Sequence, residues 1–275
     1  MQPALSEHFV PGSLVGLLRR GHPYDFVETY EVLREVYGYR GAYVNLGLWG
    51  AQEEPGRALV FRVADALRLA EGDRLLEVGS GLGQGAVDLV ARHGLAEVVG
   101  VNPNARQRGF ANALAAAEGA PVEHRDGDAC ALDVGGDFAG VLAVECAGHF
   151  ADPEAFLRGA FGALRRGGRI ALCSNVARGR AGWMGRLVMQ ATYGFVPVSG
   201  EVWAARLRAA GFAEIERVDL TSQVLGGVTN AVLASLPHAE VGWTTRLVMQ
   251  LQLGLAARAL RQGTLGYELL AGTRP

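Results

Sequence analysis

Short apolar runs alternate with helical segments from residue 74 onward, and this alternation constrains the fold more than any other feature of the chain. We predict strands at 74–79, 96–101, 121–126, 138–145 and 167–175. Between them we predict helices at 84–92, 104–118 and 153–164. Strands separated by helices at this spacing form a parallel sheet covered on both faces. The sequence therefore predicts an α/β fold.

The chain on either side of this core is predicted to be mostly helical. Helical patterns cover 27–36 and 57–69, and an ordered loop is expected at 41–50. After residue 176 the predicted elements are helices at 183–190 and 201–210, a strand at 213–220, roughly forty helical residues from Ser222, and a strand near 264–272. We expect a Rossmann-like, doubly wound, mostly parallel seven-stranded sheet with helical N-terminal and C-terminal cap elements.

Composition and charge exclude several classes of protein. Of the 275 residues, 49% are hydrophobic and 20% charged, which excludes a mainly disordered chain. The 26 basic residues are all arginine and nearly balance 28 acidic ones, so we expect neither lysine chemistry nor nucleic-acid binding. Cys130, Cys146 and Cys173 are far apart and have no histidine ligand pattern nearby, so no disulfide framework or metal site is predicted.

No targeting or membrane-spanning segment is predicted. The N-terminus contains acidic and proline residues and lacks the basic start and apolar run of a secretory signal. No run reaches the length of about 18 apolar residues that a spanning helix needs. We therefore expect a cytoplasmic protein without a membrane span.

A glycine-rich segment leaves the first strand and opens the next helix. Gly79, Gly81 and Gly83 allow the backbone to turn tightly and to approach a ligand, toward which the first N–H groups of the helix point. Glu77 lies two residues before the first of these glycines. A carboxylate there suits the amino group of a compact sulfonium cofactor and would repel a pyrophosphate.

The same segment also satisfies a dinucleotide fingerprint. Gly81, Gly83 and Ala86 match the GxGxxA form, although the match begins two residues after the expected end of the strand. A dinucleotide-dependent oxidoreductase would also favour an acid in place of Asn102, and its common lysine-containing dyad cannot form in a chain without lysine. An NAD-binding oxidoreductase therefore remains a distant alternative.

The glycine segment resembles the cofactor motif of class I S-adenosylmethionine-dependent methyltransferases. The similarity extends to residues 43–49, 101–107, 127–129, 144–150, 164–168 and 207–212. The loop at 43–49 is similar to that of the small-molecule subgroup, which includes sugar O-methyltransferases of macrolide and indolocarbazole biosynthesis. The resemblance covers roughly residues 24–275 and implies S-adenosyl-L-methionine as the cofactor.

The resemblance also implies a role for particular residues. Glu77, Gly79 and Gly81 would line the methionine end of the cofactor, and Asn102 would replace the acid that often binds the ribose. Asp128 and Ala129 would meet the adenine. The further expected cofactor contacts are Ser80, Gly83, Pro103, Gln107, Glu145, Tyr43 and Trp49. Packing roles for the two aromatic residues, and turn roles for Asn102 and Asp128, remain open.

The resemblance implies a division of the chain into three parts. Residues 1–70 would form an N-terminal helical cap with a cofactor-covering loop. Residues 71–176 would form the S-adenosylmethionine-binding core. Residues 177–275 would supply helical lid insertions and the last two strands of the sheet.

His149 is the candidate general base. It follows the fourth strand, at the carboxyl edge where open α/β sheets bind ligands. In related sugar O-methyltransferases, histidines of this loop act in catalysis, and an aspartate near the end of the fifth strand assists them. Gly148 and Ser174 stand at the corresponding positions here, so the acid–base set is incomplete. A packing or substrate-binding role for His149 remains open. His124, on a strand, is expected to be exposed.

The cap predicts the nature of the acceptor. Its many apolar residues indicate a hydrophobic pocket for a bulky, mostly apolar small molecule. We therefore predict a methyltransferase of natural-product (antibiotic) biosynthesis that methylates a hydroxyl or enol oxygen. The alternatives are C-methylation of a prenyl or polyketide acceptor and a silent cofactor-binding protein.

Two nine-residue segments of the cap are nearly the same. GWMGRLVMQ at 182–190 and GWTTRLVMQ at 242–250 agree at seven of nine positions. We predict two amphipathic helices whose leucine and valine side chains point inward. A homo-oligomer contact through these helices is a further possibility.

Overall fold

The computed structural model of the protein describes residues 34, 36–179, 190, 194–240 and 243–275. Seven strands of this part of the chain form one sheet in the order β3-β2-β1-β4-β5-β7-β6. They are β1 Arg74–Val78, β2 Glu97–Val101, β3 Val122–Arg125, β4 Phe138–Val144, β5 Leu164–Ala177, β6 Ala213–Asp219 and β7 Leu265–Thr273. Strands β1 to β5 are parallel, and β7 is antiparallel to both of its neighbours. The predicted fold class is confirmed.

Seven α-helices connect or flank the strands of this sheet in the described ranges. They are α1 Pro55–Ala64, α2 Gln84–His93, α3 Ala105–Glu118, α4 Pro153–Ala163, α5 Gly200–Ala209, α6 Gly227–Ser235 and α7 Trp243–Arg261. A single 3-10 turn, Ala147–His149, follows β4. No helix of the described ranges has both the length and the apolarity to cross a bilayer.

Local sequence signals set several helix ends. The side chain of Asn104 accepts hydrogen bonds from the backbone N–H groups of Arg106 and Gln107 and begins α3. Gly94 and Gly119 adopt the left-handed conformation that ends α2 and α3. These caps fix the lengths of the two helices that follow β1 and β2.

The core has two layers because neighbouring strand residues point to opposite faces of the sheet. Leu75 packs with Leu59 of α1 and Leu89 of α2 on one face. Leu76 packs with Phe156 of α4 and other apolar side chains on the opposite face. Both faces of the sheet are therefore buried. The loops at its carboxyl edge start from strands that are held in place by this packing.

Some element boundaries differ from the predictions. The helix predicted at 57–69 begins at Pro55 and ends at Ala64. The helical stretch predicted from Ser222 is interrupted after Ser235, where Pro237 lacks the N–H group that a continuing helix needs. Most of the helix predicted at 183–190, and most of the one predicted at 27–36, lie outside the described residues.

Two predictions about exposure were wrong. His124 is buried, at 4% exposure, because Gly83 and Gly100 lack side chains and leave room for its ring beneath α3. Leu247 points outward and is 49% exposed, because α7 packs on α6 through the opposite face, with Met249 and Leu253.

Candidate active site

The predicted site residues gather at the carboxyl edge of the parallel strands. The glycine loop follows β1, Asn102 follows β2, and the turn that carries His149 follows β4. Because parallel strands end on the same edge of a sheet, these loops face one another. The fold therefore brings together residues that are about 70 positions apart in the sequence.

The glycine loop has a backbone that other residues adopt only with strain. Gly79, Gly81 and Gly83 have φ angles of +70°, +53° and +82°. A Cβ atom on Gly79 would lie 2.5 Å from Cβ of Cys146, and one on Gly83 would lie 2.7 Å from Cβ of Ala111. No side chain caps the N-terminus of α2, so its first N–H groups can serve a ligand.

The carboxyl group of Glu77 is buried at the base of this loop. Its side chain is 6% exposed, and its Oε2 atom has no hydrogen-bond partner among the described residues. Burial raises the pKa of Glu77 to about 8. A buried acceptor without a partner fits a cationic amino group brought by a ligand, which is the role predicted from the sequence.

Asn102 connects the glycine loop to α3. Its Nδ2 atom donates to the carbonyl of Gly81 at 3.2 Å and to Oε1 of Gln107 at 2.7 Å. Its Oδ1 atom accepts from the backbone N–H of Asn104 at 2.9 Å. The neighbouring Pro103 is exposed. The amide oxygen keeps one lone pair with which it could accept from a ribose hydroxyl.

We expect Asn102→Asp to lower the free energy of unfolding by about 2–3 kcal/mol. An aspartate cannot donate, so the carbonyl of Gly81 and Oε1 of Gln107 would lose this hydrogen bond and face a carboxylate. Urea denaturation measures the change. Asn104→Asp is the matched control, because Asn104 accepts from two backbone N–H groups, and an aspartate does so equally well. Equal stability of the two variants would contradict the conclusion that the Asn102 amide stabilises the fold by connecting the glycine loop to α3.

A buried Ser80–His124 pair supports the loop from below. The Oγ atom of Ser80 lies 2.8 Å from Nδ1 of His124, and burial lowers the pKa of the imidazole to about 4. The ring is therefore neutral at physiological pH, and Nδ1 can accept the hydroxyl proton. Sequence reasoning missed this contact. The signal was Gly100, which stands opposite His124 in the β2–β3 register and leaves its ring space.

Asp128 and Ala129 lie in the turn after β3. Asp128 is exposed, and its Oδ1 accepts from the backbone N–H of Cys130 at 2.8 Å, so it caps a short 3-10 turn. Ala129 is the first residue of this turn and is buried. The turn role is visible in the structure, and the adenine contact stays a prediction.

Tyr43 and Trp49 have packing roles in the described part of the chain. Tyr43 is buried in the core, and its hydroxyl donates to the carboxylate of Asp88, which also pairs with Arg57 at 3.0 Å. Trp49 lies against Gly227, where a Cβ atom would collide with it, and its Nε1 donates to a backbone carbonyl of its own loop. Their cofactor contacts remain predictions.

Glu145 joins three elements at the edge of the site. Its Oε2 accepts from the backbone N–H of Leu46 at 3.0 Å, and its Oε1 accepts from the Tyr267 hydroxyl at 2.7 Å. Its backbone has a φ angle of +58°, which is strained for a residue with a side chain. Burial raises the pKa of Glu145 to about 7. This residue therefore fixes the N-terminal loop and β7 against the end of β4.

His149 lies edge-on against Phe195, with 4.7 Å between the ring centroids. Burial lowers its pKa to about 4, so the imidazole is neutral at physiological pH. Phe195 also explains why residue 148 is a glycine, because a Cβ atom on Gly148 would collide with the phenyl ring. Ser174 is buried on β5, opposite Glu268 of β7. In the described ranges, no group of three His, Cys, Asp or Glu residues is placed to hold a metal ion.

Comparison with known proteins agrees with this geometry. Residues 76–172 match a family described as a methyltransferase domain. The chain is similar to the erythromycin 3''-O-methyltransferase of Saccharopolyspora erythraea, with 28% identity over 218 residues that cover 73% of this chain and 70% of the relative.

Two solved structures show the same fold. The [4+2]-cyclase SpnF aligns with a TM-score of 0.71 and 22% identity, covering 92% of this chain and 94% of that one. The phosphoethanolamine N-methyltransferase 2 of Haemonchus contortus, in complex with S-adenosyl-L-methionine, aligns with a TM-score of 0.78 and 17% identity. That alignment covers 92% of this chain and 58% of the longer relative.

Proposed function

Because this chain is a class I S-adenosylmethionine-dependent methyltransferase, we propose that its acceptor is a hydroxyl or enol oxygen of a bulky, mostly apolar small molecule. The observation that carries the proposal is the neutral, half-buried imidazole of His149 against Phe195, at the same sheet edge as the glycine loop. The proposed acceptor oxygen lies beside this imidazole.

The bound cofactor supplies an activated methyl group on a sulfonium, which leaves as a neutral thioether. The task of the chain is to bind, to align and to exclude water. Glu77 and the glycine loop hold the charged end of the cofactor. Neighbouring Cys146 closes over Gly79, with its Sγ atom 3.0 Å from the carbonyl of Val78, and seals the loop on that side.

His149 is suited to an acceptor that loses its proton readily. A neutral imidazole can accept a proton, but a pKa of about 4 makes His149 a weak base. An enol or phenol ionises with little help, whereas a sugar hydroxyl needs a stronger base. The aromatic edge of Phe195 next to the imidazole also favours an apolar acceptor. Both features favour an acidic oxygen on a mostly apolar molecule.

The similarity to an O-methyltransferase of erythromycin supports oxygen over carbon as the acceptor atom. It also supports natural-product biosynthesis as the setting. The decisive experiment offers the purified protein a panel of phenols, enols, glycosides and prenyl diphosphates, with S-adenosyl-L-methionine labelled by ¹³C at the methyl group. The carbon chemical shift of the product then distinguishes an O-methyl from a C-methyl group. Transfer to carbon, or no transfer to any acceptor, would overturn the proposal.

We expect methyl transfer to show no titration of a histidine between about pH 6 and 8, where an unperturbed imidazole would change its charge. His149 keeps its neutral form down to a pH of about 4 in the folded protein. The unfolded chain takes up the proton first as the pH falls, so burial of His149 costs stability progressively below about pH 6.5. Activity and thermal stability measured over this range test both statements.

The matched pair for this prediction is His149→Gln and His238→Gln. We expect the first to lower kcat by about tenfold or more, and to do so most for the least acidic acceptor. His238 lies in an exposed turn, so its variant should keep full activity. An inflection near pH 6.5 that disappears in His149→Gln would show that the imidazole titrates normally and would contradict the weak-base role.

A further inference from the structure

The outer face of α7 exposes a row of large apolar side chains. Trp243, Leu247, Leu251 and Leu255 are 77%, 49%, 61% and 41% exposed, and they repeat every four residues. A row of this kind spans about 18 Å along one side of a helix. Isolated exposed apolar residues are ordinary, but a continuous row on one helix face marks an interaction surface. We call these four residues the α7 stripe.

The α7 stripe is opposite the face that holds the helix to the protein. Met249 and Leu253 pack against α6, and Leu260 packs against the main core. The positions of these residues are about half a turn from those of the stripe. The helix is therefore apolar on both sides, and its inner contacts do not depend on the stripe.

The charge around the stripe is positive. Residues 241–267 contain Arg246, Arg258 and Arg261 and no acidic residue, although the whole chain has a net charge of −2. Arg258 and Arg261 are exposed and lie one to two turns beyond Leu255, on the same side of the helix. Arg246 donates to the backbone carbonyls of Pro237 and Ala239.

We propose that α7 lies on the surface of an anionic lipid bilayer, with the α7 stripe buried in the interfacial region and Arg258 and Arg261 against the phosphates. An amphipathic helix with tryptophan and leucine on one face and arginine beside it binds in the plane of a membrane. Each arginine near an anionic surface adds about 1 kcal/mol of attraction. The stripe faces away from α6 and the core, so this surface contact does not use Glu77, the glycine loop or His149.

The dimensions of the stripe argue against a second copy of the chain as its occupant. A face about 18 Å long and about one helix diameter wide presents on the order of 200 Å². A stable protein interface needs about 800 Å² from each partner. A bilayer has no such minimum, because partition into it grows continuously with the apolar area and the opposite charge.

The test uses the full chain and vesicles of two compositions. We expect co-sedimentation with phosphatidylcholine mixed with phosphatidylglycerol and weaker binding to phosphatidylcholine alone. High salt should lower binding to the anionic vesicles to the level seen on phosphatidylcholine. Brominated acyl chains should quench tryptophan fluorescence in the unchanged protein, and Trp243→Phe should remove most of this quenching. The quenching difference reports whether Trp243 enters the bilayer.

Paired variants separate the two contributions. Leu247→Gln with Leu251→Gln should lower the partition coefficient by about tenfold or more on both compositions. Arg258→Gln with Arg261→Gln should lower it by about tenfold or more on anionic vesicles only. The controls are Val202→Gln, an exposed apolar residue of α5, and Arg166→Gln with Arg208→Gln, two exposed arginines elsewhere. Circular dichroism confirms that each variant is folded.

Three results would overturn the proposal. The first is the absence of co-sedimentation with either vesicle. The second is binding that the α7 variants retain. The third is a dimer, seen by light scattering without lipid, that Leu247→Gln with Leu251→Gln dissociates, since that would assign the α7 stripe to a second copy. Methyl transfer to a soluble acceptor should be unchanged in all these variants.

Discussion

We expect Glu77→Gln to bind S-adenosyl-L-methionine at least about a hundredfold more weakly than the unchanged protein. Loss of one partner of a buried charge pair costs several kcal/mol, and Oε2 of Glu77 has no other partner in the described part of the chain. Isothermal titration measures the affinity. Glu97→Gln is the matched control. Glu97 is the first residue of β2, at the amino end of the strand and opposite the candidate site, and it pairs with Arg74.

The same variant should change how stability depends on pH. In the cofactor-free protein, the folded state holds a proton on Glu77 up to a pH of about 8, whereas the unfolded chain releases it near 4.5. The free energy of unfolding therefore falls as the pH rises through this interval. Glu77→Gln has no proton to release, so its stability should lack this decline and exceed that of the unchanged protein at pH 8.

Cofactor binding should also release a proton from Glu77. At pH 7 the carboxyl is mostly protonated in the free protein, and a nearby ammonium group favours the ionised form. The measured binding enthalpy should therefore depend on the ionisation enthalpy of the buffer in the unchanged protein. If it does not, and if Glu77→Gln keeps its affinity, Glu77 has no role at the amino group.

Each of β1 to β4 is close to its predicted position. Strands β1, β2 and β4 are buried on both faces and leave a short, nearly continuous apolar run in the sequence. Strand β3 is an edge strand with three polar residues, and its signal is weaker. The glycine loop and Glu77 follow from the same local pattern. Their arrangement in the structure needs only the end of β1 and the start of α2.

The less predictable features depend on residues far apart in the chain. The burial of His124 requires the space left by Gly100 on the neighbouring strand and by Gly83 in the glycine loop. The sequence of β3 alone gives no sign of that space. Helical periodicity could not show which side of α7 points inward, because Leu247 and Met249 lie on opposite and equally apolar sides. Tertiary packing decides such cases, and local patterns do not contain it.

We expect Gly79→Ala to abolish measurable cofactor binding and to lower the free energy of unfolding by at least about 3 kcal/mol. A left-handed conformation costs alanine about 1–2 kcal/mol, and Gly79 has a φ angle of +70°. In addition, the new Cβ atom would lie 2.5 Å from Cβ and 2.7 Å from Sγ of Cys146. Relief of this overlap would displace either the glycine loop or the turn that carries His149.

Gly119→Ala isolates the backbone part of this cost. Gly119 has a φ angle of +61°, ends α3, and has no atom within 4 Å of an added Cβ. That variant should lose only about 1–2 kcal/mol and bind the cofactor normally. Adding Cys146→Gly to Gly79→Ala removes the atoms that collide and should restore part of the stability. If both single glycine variants are equally stable and Gly79→Ala still binds the cofactor, close approach at Gly79 does not shape the site, and the loop owes its form to backbone conformation alone.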